Sequence, residues 1–159
     1  MLNGASIIVS LFLCFVGGAY ACCSEDDCPS GWKFFGGSCY LFDEGSRGWE
    51  GSKAFCESKD ASLVTVECSK EDDFIRGILS GQTAKHYYWI GARWNEEHND
   101  YRWIDGSPFT FIGWGPGKPD NNKGCLDYLN YKEVVWQWND HVDCENTNGP
   151  CICEIDCSD

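Results

Sequence analysis

Apolar and polar positions change period several times along the chain. Residues 87–94, YYWIGARW, alternate and are dense in aromatics, which predicts a buried strand. YRWIDGSPFTF (101–111) reads as a strand running into a turn at Asp105-Gly106, and CLDYLNYKEVVWQWND (125–140) as two strands with Trp136 and Trp138 on one face. CICEI (151–155) is a closing strand. Near the start, CPSGWKFFGGSCYLF (28–42) sets two aromatic runs around Gly36-Gly37, the pattern of a hairpin that Cys28 and Cys39 are close enough to clip. A helical period takes over twice. It is present around Trp49, Lys53, Phe55 and Cys56, ahead of an extended segment at Leu63-Val64. It is clearest in SKEDDFIRGILSG (69–81), where Phe74, Ile75, Ile78 and Leu79 make one apolar face. Ser69 and Asp72 have capping-box spacing, the acids suit the positive end of the helix, and Gly81 is placed to stop it. Residues 113–124 fit neither period. They are rich in Gly, Pro and Asn and too long for a hairpin turn, and irregular loops of that length in compact domains commonly carry function.

Composition narrows the class. An apolar run from Ile7 to Val16, ending in Ala19-Tyr20-Ala21, reads as a cleaved secretion signal over residues 1–21 and is too short to span a bilayer. A short segment, 22–27, would then precede a single domain over 28–157, with no membrane span. The chain has twelve cysteines, which in a secreted protein indicates a disulfide framework. Losing Cys14 with the signal leaves eleven, so one thiol is free or bridges two chains, and a disulfide-linked homodimer is one expectation. A net charge of −13 excludes nucleic acid as a partner, since that needs basic patches. His86, His98 and His141 stand at no telling spacing from a nucleophile, so nothing suggests an enzyme.

Taken in order, CPSGWKFFGGSCYLF, WIGARW, RWIDGS, KPDNN before Cys125, WQWND before Cys144, and CICE resemble the C-type lectin-like domain over roughly Cys28 to Glu154. The resemblance implies an α+β fold in which two helices flank two small antiparallel sheets and a long loop carries the ligand site. It also implies the disulfides Cys28 with Cys39, Cys56 with Cys153, and Cys125 with Cys144. Cys22, Cys23, Cys68, Cys151 and Cys157 are left for other uses.

In sugar-binding members of that family a calcium ion on the long loop coordinates two sugar hydroxyls. It is held by a Glu-Pro-Asn or Gln-Pro-Asp triplet, a second acid before the next cysteine, and the Asn and Asp of a Trp-Asn-Asp motif. The triplet here is Lys118-Pro119-Asp120. Lys123 falls where the second acid belongs, and one extra residue separates Asp140 from Cys144. Asp120, Asn139 and Asp140 remain as candidate metal ligands, opposed by Lys118 and Lys123. Calcium takes six to eight oxygens, and a lysine offers none. An ammonium about 5 Å from a divalent ion would cost roughly 2 kcal/mol in water and about 7 at an effective dielectric of 20. The expectation is therefore a rim that needs no cofactor and at which Ca²⁺ is at most a weak ligand. A lysine would salt-bridge Asp120 or Asp140 in place of the ion. Lys118, Asp120, Asn139 and Asp140 would face the ligand, with Trp114 in the loop to stack on a sugar ring. Trp89, Trp103, Trp136 and Trp138 are expected in the core.

These readings converge on a secreted, extracellular lectin for glycans, microbial cell-wall polysaccharide among them, acting in innate defence. The alternative is a structural or protein-binding module of the same fold without sugar affinity: an oligomeric venom-like, mineral-matrix or ice-binding domain.

Overall fold

The computed structural model describes residues 24–82, 86–120, 122–131 and 134–157. The expected signal segment lies outside them. Strands β1 (Lys33–Phe35) and β2 (Ser38–Arg47) form the first hairpin, followed by helix α1 (Trp49–Glu57), β3 (Ser62–Leu63) and helix α2 (Ser69–Leu79). Then come β4 (Tyr87–Asn95), β5 (Asp100–Trp103), β6 (Cys125–Tyr131), β7 (Val134–His141) and β8 (Gly149–Asp156). The first hairpin turns at Gly36 and Gly37, whose φ values of 63° and 101° suit glycine and few other residues.

The strand order is β1-β2-β8-β4-β6-β7, with β3 added to β8 and β5 to β4. Two antiparallel groups are present as expected, but they are not separate. One parallel pairing, Trp89 with Cys151, joins β4 to β8 and makes the sheet continuous and mixed. The chain is thus α+β, with its closing strand at the centre of the sheet.

Two apolar clusters result. One gathers Val64, Val66, Ile75, Leu79, Tyr88, Ile90, Trp103, Leu126, Tyr128, Trp136, Trp138 and Ile152 between the sheet, α2 and the long loop. The other sets Trp49 and Cys56 of α1 against Leu63, Trp89 and the half-cystines of β6 and β8. The four tryptophans expected in the core are all buried.

The disulfides Cys28–Cys39, Cys56–Cys153 and Cys125–Cys144 are formed, and Cys68 and Cys157 are disulfide-bonded as well. The free thiol among the described residues is Cys151, which is fully buried. It therefore cannot bridge two chains. Cys22 and Cys23 lie outside the described residues.

Helix α2 differs from expectation at its start. Ser69 is its first residue rather than its cap, and Cys68 holds the cap position without a side-chain bond. Nor do Glu71 and Asp72 simply decorate a solvated end. Both are buried, Glu71 accepting from the Tyr40 hydroxyl (2.9 Å) and the Glu67 amide (2.9 Å), Asp72 from the Tyr128 hydroxyl (2.6 Å). The acids that read as a dipole motif are the ties between helix and sheet.

Burial pushes Glu71 up to about 7 and Glu154 up to about 8, with the neighbouring Glu71 charge adding to the shift at Glu154. A carboxyl with a raised folded-state pKa favours folding while protonated. The stabilisation is complete below the ordinary carboxylate range and is lost as pH rises through about 7 to 8. Urea midpoints should therefore fall between pH 5 and pH 8.5, and Glu154→Gln should flatten that slope. A midpoint that rises over this interval contradicts the assignment.

Candidate functional site

The long loop is stitched along β7. The Trp138 amide donates to the Gly113 carbonyl and the Gly115 amide to the Trp138 carbonyl, both at 2.9 Å, so the loop leaves and re-enters beside one strand. At its far end Gly124 passes so close to His141 that a Cβ there would lie 1.7 Å from the His141 carbonyl oxygen, which no side chain permits. Between these anchors the loop carries Lys118, Pro119 and Asp120, and the Lys118–Pro119 bond is cis.

Asp140 organises the loop from below. Its side chain is fully buried, and it accepts from the Asp120 amide (3.1 Å), the Asn122 amide (3.0 Å) and the Tyr101 hydroxyl (3.2 Å). The Asn122 side-chain amide donates to the Asp140 carbonyl at 2.9 Å. Lys118 completes the group: its Nζ lies 2.7 Å from Asp120 Oδ2 and 3.5 Å from Asp140 Oδ1. Partial burial works against the ammonium, but its hydrogen bond to Asp120 and the two carboxylate charges outweigh that and hold its pKa above the ordinary value. The Lys118 hydrogen bond in turn holds Asp120 below the usual carboxylate range.

Of the residues expected at the rim, the fold brings Lys118, Asp120 and Asp140 together and turns Asn139 away. The strand period sends successive side chains to opposite faces. Asn139 accordingly donates to Asp127, at 3.3 and 3.2 Å to its two oxygens, behind the rim. Asp127 is fully buried, and burial raises its pKa against the opposing hydrogen bond from His141, whose other nitrogen meets the Thr147 hydroxyl at 3.0 Å. Lys123 also stays out of the cluster, its ammonium standing 4.8 Å over the Trp94 ring. Trp114 is half-buried and packs edge-on against Tyr101 and Trp138, so much of its ring belongs to the core. Tyr101 and Asn122 were not singled out in the sequence. Asn122 lay in the quoted loop motif, whereas Tyr101 carried no signal beyond its strand.

A calcium cage does not fit this arrangement. The Asp140 oxygens are engaged by N–H and O–H donors, Lys118 stands between the two carboxylates, and Asn139 faces elsewhere. What the cluster offers instead is a fixed ammonium beside a half-exposed carboxylate, a donor and an acceptor side by side. That pairing suits neighbouring hydroxyl or amide groups of a polar ligand.

The family model of the lectin C-type domain matches residues 45–155. The chain belongs to the C-type lectin domain family. Among curated relatives it is 34% identical to the mouse C-type lectin domain family 4 member G over 82% of this chain and 44% of that one. It is 28% identical to a perlucin-like protein of Mytilus galloprovincialis over 92% and 95%. The chain spans about a third to a half of the length of the first curated relatives it matches. Among solved structures it is similar to one described as an SPL-1–GlcNAc complex, at 69% identity and TM-score 0.83 over 86% of this chain and all of that one. The mouse scavenger receptor C-type lectin carbohydrate-recognition domain follows at 32% and 0.70, over 81% and 96%. Nattectin of Thalassophryne nattereri, 32% identical over 71% of this chain and 73% of that one, is described as a galactose-specific lectin, and the relatives are lectins, a non-enzymatic family.

Proposed function

We propose that this C-type lectin domain is a secreted recognition protein that binds N-acetylhexosamine-bearing glycans, of the sort displayed on microbial surfaces, without a calcium ion. The observation that carries the reading is Lys118 Nζ between Asp120 and Asp140, a cation built into the loop at the place relatives give to a metal. The similarity to a chain solved with GlcNAc supports the sugar class. The Lys118 ammonium donates to one sugar oxygen and the free face of Asp120 accepts from the adjacent group. The exposed edge of Trp114 covers the ring, while Asp140 and Asn122 keep the loop in register beneath. No helix among the described residues is long and apolar enough to cross a membrane. The leader at residues 1–21 and the disulfide framework support export, and the defence role is part of this proposal.

Calorimetric titration of GlcNAc and a glycan array, each with calcium and with chelator, test it. Equal affinity in both buffers is the expected result. Loss of binding in chelator would make calcium the cofactor, and silence on all glycans in both buffers would leave a structural or protein-binding module.

A further inference from the structure

The β4–β5 hairpin has two faces. Trp94 and Tyr101, directly opposite in register, look toward the loop site, with Lys123 over the first and Asp140 bonded to the second. The next pair in register, Arg93 with Arg102, points the other way. There it borders a cleft of about 340 Å³ between the hairpin and α1, lined also by Trp49, Glu50, Lys53 and Asn95.

Two guanidinium groups directly opposite on one sheet face repel each other. Arg93 is answered by Glu50 at 2.6 Å and lies 5.3 Å over the Trp49 ring, but both partners of that ion pair are about half exposed, so it holds weakly. Arg102 makes no ion pair with any described residue, and its Nε is buried without a hydrogen-bond partner. In a chain of net charge −13, a half-buried arginine left unanswered beside a second arginine is an anomaly of charge placement. Lys53 also borders the cleft, but its ammonium is held by Glu57 at 2.6 Å, so Arg93 and Arg102 are the cationic heads that face a ligand there.

We propose that this cleft is a second ligand site, binding the sulfate or phosphate monoester group of an acidic glycan independently of the loop. A monoester presents three terminal oxygens. A carboxylate presents two, which one arginine fork already fills. Two arginine forks side by side at one cleft match the former. The bridging anion relieves the Arg93–Arg102 repulsion, and Glu50 swings into water.

The test is titration of the full chain with a heparin-derived sulfated oligosaccharide, glucose 6-sulfate and glucose 6-phosphate at low ionic strength. The same titrations are repeated on Arg102→Gln, Glu50→Gln and, as a remote control, Lys33→Gln on β1. Thermal melts confirm folding of each variant. Wild type should bind at least one monoester in the presence of saturating GlcNAc. Arg102→Gln should weaken that binding about tenfold, as loss of a charge-assisted pair does. Glu50→Gln should tighten it, and Lys33→Gln should leave it unchanged. The sulfate and phosphate arms identify the ester. No monoester binding, or equal losses in Arg102→Gln and Lys33→Gln, overturns the proposal. Should Arg102→Gln not fold, an unchanged or weaker affinity in Glu50→Gln does so alone. A failure of GlcNAc to bind bears only on the loop.

Discussion

Asp140→Ala should abolish detectable GlcNAc binding and lower the melting temperature by roughly 10–20 °C, as a loss of about 3–5 kcal/mol in a domain of this size would do. One fully buried carboxylate accepts from the Asp120 amide, the Asn122 amide and the Tyr101 hydroxyl and faces the Lys118 ammonium. Truncation leaves those donors without an acceptor, and each buried orphan costs about 1–3 kcal/mol. The loop then has no fixed point between its anchors beside Trp138 and Gly124. Lys118→Met is the informative partner, because it removes the ammonium and keeps the buried acceptor. It should weaken GlcNAc binding while moving the melt far less. If Asp140→Ala melts like wild type, Asp140 is not the post on which the loop hangs.

Replacing both Cys56 and Cys153 by alanine should destabilise the fold by about 4–5 kcal/mol, more than the same change at Cys28 and Cys39, where the chain-entropy model gives about 3. The sequence separations are 97 and 11 residues, so the first bridge removes far more freedom from the unfolded chain. It also pins α1 to the central strand β8, and the buried Cys151 sulfur lies within 4.8 Å of both half-cystines. Denaturant melts of the two double variants read the difference directly. Equal losses would mean that native strain or residual structure, not loop closure, sets the value of these bridges.

Much of the architecture was legible from side-chain period. The YYWIGARW strand, the Gly36-Gly37 hairpin and the α2 face each carry a local signal, because a strand or helix must bury one face and its sequence repeats accordingly. The loop chemistry was legible in part. Lys118 beside Asp120 across one proline already implied a cation where relatives hold a metal, and the 2.7 Å contact is that pair. What misled was adjacency. Asn139 and Asp140 are neighbours in sequence, yet a strand sends neighbours to opposite faces, so Asp140 holds the loop while Asn139 joins Asp127. Likewise Glu71 and Asp72 look like acids at a helix start, and only the packing of α2 on the sheet turns them inward to Tyr40 and Tyr128.

The sequence alone determined the elements, the domain family, the cysteine framework and the charge type at the loop, because periodicity, residue chemistry and motif order are local properties. Tertiary structure decided which sulfur among the described residues stays free, which of two adjacent polar side chains anchors the loop, and that Arg93 and Arg102 meet across a hairpin over an open cleft. Those outcomes depend on strand register and on which face each strand buries, and both are fixed only when distant segments pair.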